Sequence, residues 1–109
     1  MDYRIDGVVK KYADVVNRRF NPLKIYLYGS YTKGNNCENS DIDIAVVIPV
    51  TQTNEYMAIF GELFSLAAEI DERIEPNLFI FHDIDDKYSI LHEIVTTGVE
   101  VSQLLDVSA

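Results

Sequence analysis

Two segments decide the fold of this chain: LKIYLYGS at residues 23–30 and SDIDIAVVI at residues 40–48. In the first segment, apolar residues alternate with Lys and Tyr until Gly29, which is the period-two pattern of a β-strand. The second segment is almost entirely apolar after Asp43, which is typical of a strand buried on both faces. The two segments therefore predict neighbouring strands that are joined by a polar loop over residues 29–40.

Helical and strand periodicities outside this pair complete the predicted architecture. The spacing of apolar residues predicts helices over residues 2–19, 54–70 and 86–96, and strands over residues 74–81 and 99–101. Gly98 lies where the last helix would end. This order of elements predicts one domain over residues 1–109, with an α+β (α/β two-layer) fold in which helices pack on one face of a small mixed β-sheet.

The charge of the chain excludes one broad class of function. The 109 residues carry 9 basic and 18 acidic side chains, a net charge of -9. General nucleic-acid binding needs a basic surface, so we do not expect it here. Residues 1–33 hold seven basic and three acidic side chains, whereas residues 34–109 hold two and fifteen. A solvated surface explains most of this acidity, and the alternative is that part of it lies in a metal or phosphate site.

The cellular location is also indicated by composition. Cys37 is the single cysteine, so no intramolecular disulfide can form, as is usual in a reducing cytosol. The first residues lack an apolar signal region, and the longest uncharged apolar run, Ile44 to Val50, is too short to span a bilayer. We therefore expect a cytoplasmic protein that does not associate with membranes.

Two carboxylates at the start of the second strand are the first candidate site residues. Asp41 and Asp43 lie two apart, so they share one face of the strand about 6–7 Å apart. Like charges at this distance repel each other, and a bound divalent cation would relieve the repulsion. Oxygen ligands favour Mg²⁺ or Mn²⁺. Glu75, in the third predicted strand, would supply the third carboxylate of a two-metal site.

The Gly29-Ser30 turn provides the complementary half of a site. Glycine allows the backbone to approach a ligand closely, and amide groups in such a turn, with the serine hydroxyl, bind phosphate oxygens. A phosphate-binding turn beside a carboxylate pair indicates a nucleoside triphosphate site.

Other interpretations of these residues are weaker. Gly29 to Gly34 has the spacing of a Walker A loop, but Asn35-Asn36 stand where Lys and Ser or Thr are required. A calcium loop beginning at Asp41 would lack its invariant glycine. His82 and His92 lack cysteine partners and are more typical of surface or half-buried positions. A helix or turn cap at Ser40–Asp43 is the structural alternative.

Gly29-Ser30, a ten-residue interval and Asp41-x-Asp43 together resemble the signature of the DNA polymerase β-like nucleotidyltransferase superfamily. The short chain is similar to the minimal nucleotidyltransferases of the MntA type, which are often paired with a HEPN toxin. Residues 73–76 and 97–101 are similar to segments of bacterial members, so the resemblance covers roughly residues 23–101. The motif is highly specific for the superfamily and much less specific for substrate.

The resemblance implies a role for each matching residue. Gly29 and Ser30 would hold the β- and γ-phosphates of ATP, and Asp41 and Asp43 would bind two Mg²⁺ ions, with Mn²⁺ as an alternative. Glu75 would be the third catalytic carboxylate, where many relatives have Asp. Asp71 and Glu72 compete for that role but precede the strand, and Lys33 is either a phosphate contact or a solvated loop charge.

The implied activity is transfer of AMP from ATP to an acceptor hydroxyl with release of pyrophosphate. The resemblance suggests a tyrosine of a HEPN-type toxin as the acceptor, which would make this protein the antitoxin. A small molecule such as an aminoglycoside is an alternative acceptor, although 109 residues leave no obvious domain to bind it. A non-catalytic antitoxin or regulatory module is the alternative of a different class, favoured by aromatic residues that we expect at the surface: Tyr3, Tyr26, Tyr28 and Tyr31. Homo- and hetero-oligomers are both left open.

Overall fold

The computed structural model describes residues 3–29, 31, 40–81 and 89–102. In chain order its elements are helix α1 (Tyr3–Phe20), strand β1 (Lys24–Tyr28), strand β2 (Ile42–Ile48), a 3₁₀ helix (Val50–Glu55), helix α2 (Tyr56–Ile70), strand β3 (Ile74–Ile80), helix α3 (Ile90–Thr97) and strand β4 (Val99–Glu100). Within this described part, no helix is both long enough and apolar enough to cross a membrane.

The four strands form one mixed sheet in the order β3-β2-β1-β4. Strand β1 pairs antiparallel with β2 and β4, whereas β2 and β3 run parallel. The two segments that decide the fold therefore occupy the centre of the sheet, and all residues of β2 except Asp43 are buried. The predicted α+β architecture with a small mixed sheet is confirmed. The 3₁₀ helix before α2 was not predicted.

One face of the sheet is covered by the two long helices. The buried residues of α1 on this face are Val9, Tyr12, Ala13 and Val16. They pack with α2 and with the even-numbered residues of β2. The Tyr12 hydroxyl donates a hydrogen bond of 2.9 Å to the Leu63 carbonyl oxygen, which ties α1 to α2. The main hydrophobic core therefore lies between this helix pair and the sheet.

The opposite face carries a smaller core, which corrects part of the sequence prediction. Tyr26, Ala45 and Val47 are buried there against Leu91 and Ile94 of α3. The expectation that helices pack on one face therefore holds for α1 and α2 but not for α3. The physical reason is the apolar second face of β1 and β2, which would meet water without a covering helix.

The tyrosines expected at the surface mostly lie inside the protein. Tyr26 and Tyr31 are buried, and Tyr28 is half-buried. The side chain of Tyr3 lies outside the part that the structure describes. The argument from exposed aromatic residues for a non-catalytic binding module is therefore wrong for Tyr26 and Tyr31, because both contribute to hydrophobic clusters.

Gly98 ends α3 as predicted, but the reason for glycine differs. Its φ of -82° lies outside the left-handed region. A Cβ atom at this position would lie 2.6 Å from the Ile94 carbonyl oxygen and 2.9 Å from the Leu27 carbonyl oxygen. Glycine is needed because the chain passes between α3 and β1 as it enters β4.

Candidate active site

Three strands place polar side chains in one row at the same end of the sheet. Tyr28 ends β1 and pairs with Asp43, which in turn lies beside Glu75 in the parallel register of β2 and β3. Residues in one row of neighbouring strands point to the same face, so these three side chains are neighbours. The row lies where β2 and β3 begin and β1 ends, on the face that α3 covers.

Asp41, Asp43 and Glu75 interact electrostatically. A hydrogen bond with the Asp41 side chain is the main reason that the pKa of Glu75 is raised, and partial desolvation and the charges of both aspartates raise it further, although Asp41 and Glu75 are both exposed. Burial raises the pKa of Asp43, and the charge of Asp41 adds to this effect. Since the described residues contribute no opposing basic charge to either shift, this end of the sheet concentrates uncompensated negative charge.

Gly29 brings the backbone against the Asp43 carboxylate. Its φ is +80°, in the left-handed region that glycine adopts without strain. A Cβ atom here would collide with Oδ2 of Asp43 and would lie 3.1 Å from its Cγ. Glycine is therefore required both by the turn and by the space that the carboxylate occupies.

Two polar residues of this site, Asn77 and Tyr28, were not predicted as site residues from the sequence. The side-chain amide of Asn77 donates a hydrogen bond of 2.5 Å to the Tyr28 hydroxyl oxygen. Burial raises the pKa of Tyr28, the bond from Asn77 opposes this, and the charges of Asp43 and Glu75 raise it further. The period-two pattern places Asn77 on the face of Glu75, and this signal could have identified it. Asn77 fixes the Tyr28 ring beside the carboxylates.

The structure separates Glu75 from its two competitors. The Arg73 guanidinium donates to both carboxylate oxygens of Asp71, at 2.8 and 3.1 Å, and the Arg73 amide donates to the same side chain at 2.9 Å. These bonds hold the pKa of Asp71 below its usual range. Arg73 also interacts with the hydroxyl of buried Tyr31. Asp71 thus has a structural partner, and Glu72 lies in the exposed turn before β3.

Two predicted phosphate-binding residues cannot be placed. Ser30 and Lys33 lie outside the described residues, so their roles stay predictions. Gly29 before them and Tyr31 between them are described, and both lie near the row of carboxylates: Gly29 contacts Asp43, and Tyr31 donates a hydrogen bond of 3.5 Å to the Ser40 carbonyl oxygen. The loop therefore starts and returns at the site.

Asp41, Asp43 and Glu75 fit a metal site in which the protein supplies only some of the ligands. Among the described residues, no group of three or more His, Cys, Asp or Glu side chains is arranged so that it could hold a metal ion by itself. Mg²⁺ often binds one or two carboxylates and takes its other ligands from water and substrate phosphates. Hard oxygen donors with unopposed negative charge fit this second kind of site, in which the metal arrives with a phosphorylated substrate.

The raised carboxyl pKa values predict how pH affects the metal-free protein. Protonation of Asp43 and Glu75 is easier in the folded state, so their charges destabilise the fold at neutral pH. This penalty disappears as the pH falls through the raised pKa values. In EDTA, the melting temperature of the wild type should therefore approach that of Asp43→Asn/Glu75→Gln as the solution is acidified. A difference in melting temperature between the two proteins that stays the same at all pH values would contradict the prediction.

Three comparisons relate this chain to known proteins. The family model described as "Polymerase beta, Nucleotidyltransferase" matches residues 10–103. A protein of Methanocaldococcus jannaschii named "Putative protein adenylyltransferase" is 30% identical over 96 residues, which are 88% of each chain. The crystal structure of a "putative nucleotidyltransferase" from Sulfolobus solfataricus aligns with a TM-score of 0.65 at 17% identity, over 90% of this chain and 79% of the other.

These comparisons establish the fold of the chain and the family to which it belongs. The structural similarity shows the nucleotidyltransferase fold, with its small mixed sheet and flanking helices. The family match covers most of the chain, including β1, β2 and β3 with the row of polar side chains. The chain belongs to the polymerase β nucleotidyltransferase family.

Proposed function

We propose that this protein is a Mg²⁺-dependent adenylyltransferase that moves AMP from ATP to a hydroxyl group of a partner protein. The observation that carries the proposal is the row of Asp43 and Glu75 on adjacent strands, with Asp41 in electrostatic contact and Gly29 against Asp43. A phosphate-binding turn beside paired carboxylates is what phosphoryl and nucleotidyl transfer requires, because catalysis depends on positioning and charge neutralisation.

The reaction forms one bond and breaks another at the α-phosphorus of ATP. The acceptor oxygen forms a bond to this phosphorus, the bond to the bridging oxygen breaks, and pyrophosphate leaves with the electron pair. The hydroxyl proton passes to Glu75 or to water. Glu75 is placed for this task on β3, beside Asp43 in the parallel register.

Asp41, Asp43 and Glu75 would hold the divalent ions in this reaction. When bound, Mg²⁺ supplies positive charge that neutralises the triphosphate and stabilises the entering and leaving oxygens. The protein contributes the direction of the carboxylates: the sheet fixes Asp43 and Glu75, and Gly29 leaves room for Asp43. Without the ion, the carboxylates would repel ATP.

A protein acceptor is favoured over a small molecule. The relative from Methanocaldococcus jannaschii carries "Putative protein adenylyltransferase" as its name, and it is 30% identical to this chain over 96 residues. We further propose that the acceptor is a HEPN-type toxin and that AMP transfer makes this protein its antitoxin. The proposal of a HEPN-type toxin rests on the resemblance to minimal nucleotidyltransferases and on the proposal that the acceptor is a protein.

Labelled ATP tests the enzymatic proposal directly. The wild type and the Asp41→Asn/Asp43→Asn variant are incubated with Mg²⁺ and a lysate of cells that naturally produce the protein. Label from the α-phosphate of ATP should appear on a protein with the wild type alone, and label from the γ-phosphate should not. Equal labelling by both proteins would overturn the enzymatic proposal.

Co-expression with a helical toxin encoded next to the gene tests the antitoxin role. We expect the wild type to protect cells and the Asp41→Asn/Asp43→Asn variant to fail. Protection by the variant at equal expression would instead support neutralisation by binding, the alternative of a different class.

A further inference from the structure

One cleft of the protein lies between α2 and the start of β3, and residues of the candidate site form part of its wall. It has a volume of about 370 Å³, and it is lined by Asp41, Glu72, Arg73 and Glu75 together with Phe64 and Ala68 of α2. Ala67 and Ile74 form part of its apolar floor. The cleft is therefore lined by charged residues near the start of β3, two of them from the candidate site, and by apolar residues of α2.

An aromatic row leads along α2 to this cleft. The rings of Tyr56 and Phe60 lie 5.9 Å apart edge to face, and those of Phe60 and Phe64 lie 5.2 Å apart. The Tyr56 hydroxyl donates a bond of 2.8 Å to the Leu78 carbonyl oxygen, which anchors the row to β3. Phe64 ends the row at the cleft and is 47% exposed. Its ring is thus fixed on one side and open to solvent on the other.

The exposed apolar residues of α2 extend this surface beyond the cleft. Met57, Gly61, Phe64 and Ala68 follow one another at spacings of four, three and four, and all are exposed. Met57 is 76% exposed and Phe64 47%, so this surface carries two large apolar side chains on one face of the helix. We call these four residues the α2 stripe.

The topology of the sheet indicates which substrate would use the cleft. In-line transfer requires the acceptor and the leaving pyrophosphate to lie on opposite sides of the α-phosphorus. Gly29, at the phosphate-binding turn, follows β1, and Glu75 belongs to β3, with Asp43 on β2 between them. The triphosphate on the β1 side therefore leaves the β3 side to the acceptor, and the α2 cleft opens there.

We propose that the α2 cleft receives the hydroxyl-bearing side chain of the acceptor protein, and that the α2 stripe is the surface on which this protein docks. The inference rests on the proposed transfer reaction and adds the place and the residues of acceptor recognition. Phe64 and Ala68 are the specificity-determining residues: Phe64 packs against the body of the acceptor side chain, and the small Ala68 leaves the cleft open.

The charges around the cleft describe the partner further. Glu72 and Arg73 line the cleft itself, where Arg73 is paired with Asp71, and Glu69 is exposed beside the stripe. A partner that matches this surface would present apolar residues next to its hydroxyl group, with basic residues around them. This chemistry disfavours a second copy of this chain, whose net charge is -9.

A pair of identical substitutions on α2 tests the inference. Ala68 and Ala58 are both exposed on the same helix, but Ala58 lines a different cleft beside Phe20 and Gln52. We expect Ala68→Trp to lower AMP transfer to the protein acceptor about 100-fold, because the acceptor hydroxyl is displaced. Ala58→Trp should transfer normally, and both variants should bind Mg²⁺·ATP like the wild type.

A binding measurement separates this inference from the transfer reaction itself. N-acetyltyrosinamide and N-acetylserinamide are added to the wild type, and shifts of the backbone amide NMR signals are mapped. Shifts at Phe64, Ala67 and Ala68 would support the inference even before any transfer is measured. Shifts at Ile90 and Thr97 on the opposite side, or equal transfer by the two tryptophan variants, would overturn the inference while leaving the AMP-transfer proposal intact.

Size-exclusion chromatography with light scattering tests whether a second copy of this chain, rather than the acceptor protein, covers the α2 stripe. A dimer of the wild type that becomes a monomer in Met57→Lys would assign the stripe to self-association and overturn the inference. A wild type that is monomeric, together with a partner complex that Met57→Lys weakens, supports it.

Discussion

Replacing Asp43 with Asn should abolish AMP transfer and at the same time stabilise the metal-free protein. We expect activity to fall about 10³-fold or more, because the variant loses a charge that positions the metal and the triphosphate. The melting temperature in EDTA should rise, since Asn keeps the shape of the side chain and removes its repulsion with Asp41. Activity is measured with α-labelled ATP, and stability by thermal unfolding.

Asp71→Asn is the matched control for this variant. Asp71 also lies near the start of β3, but its carboxylate is paired with Arg73 at 2.8 Å. The same chemical change should therefore lower stability, by about 1 kcal/mol or less, and leave most of the activity. Opposite signs of the stability change for two neighbouring aspartates would be difficult to explain by a general effect of net charge.

Metal binding should reverse the difference between Asp43→Asn and the wild type. With Mg²⁺ and a non-hydrolysable ATP analogue, the wild type gains stability by binding, whereas the variant gains little. A variant that is less stable than the wild type in EDTA would show that Asp43 has a structural role. The interpretation of Asp41, Asp43 and Glu75 as a destabilised catalytic cluster would then be wrong.

The parts of this fold that depend on local pattern were predictable from the sequence. Alternation over residues 23–28 and the apolar run of β2 identified the central strands, because the side-chain period of a strand is fixed by backbone geometry. The sequence also placed Asp41, Asp43 and Glu75 near strand starts. Their proximity follows once β2 and β3 pair in parallel, with Asp43 beside Glu75.

The features that the sequence did not reveal depend on contacts between distant residues. The bond from Asn77 to Tyr28 joins residues 49 positions apart, so no local pattern encodes it. The packing of α3 on the second face follows from the need to cover Ala45 and Val47. The apolar run of β2 already indicated that this face must be covered, but only the folded sheet shows that α3 is the helix that covers it.

Electrostatic partners were equally hard to anticipate. Glu75 was predicted as the third carboxylate, with Asp71 and Glu72 as competitors that precede the strand, and sequence spacing says little about which acid has a cation beside it. In the structure the Arg73 side chain turns back to Asp71, two residues earlier, and leaves Glu75 beside Asp41. The distinction between a paired acid and a repelled acid therefore needs side-chain positions.

Gly29→Ala should impair both the fold and the reaction. A non-glycine residue at a φ of +80° is expected to cost about 1–2 kcal/mol. Its Cβ would also collide with Oδ2 of Asp43, so the carboxylate must rotate away from the row that it forms with Glu75. This displacement of the Asp43 carboxylate is expected to reduce AMP transfer about 100-fold, even at temperatures where the variant is folded.

Gly7→Ala provides the control, because a Cβ atom on Gly7 of α1 meets no atom within 4 Å. This helix position should gain about 0.5–1 kcal/mol of stability from alanine and keep full activity. Thermal unfolding and α-label transfer are measured for both variants. If Gly29→Ala loses stability but transfers AMP at the wild-type rate, then Asp43 tolerates displacement and the close approach of Gly29 matters only for the turn. If it loses activity while remaining folded, the conformation of the Gly29 turn is part of the catalytic geometry, through its close approach to Asp43 or through the phosphate contacts proposed for the turn.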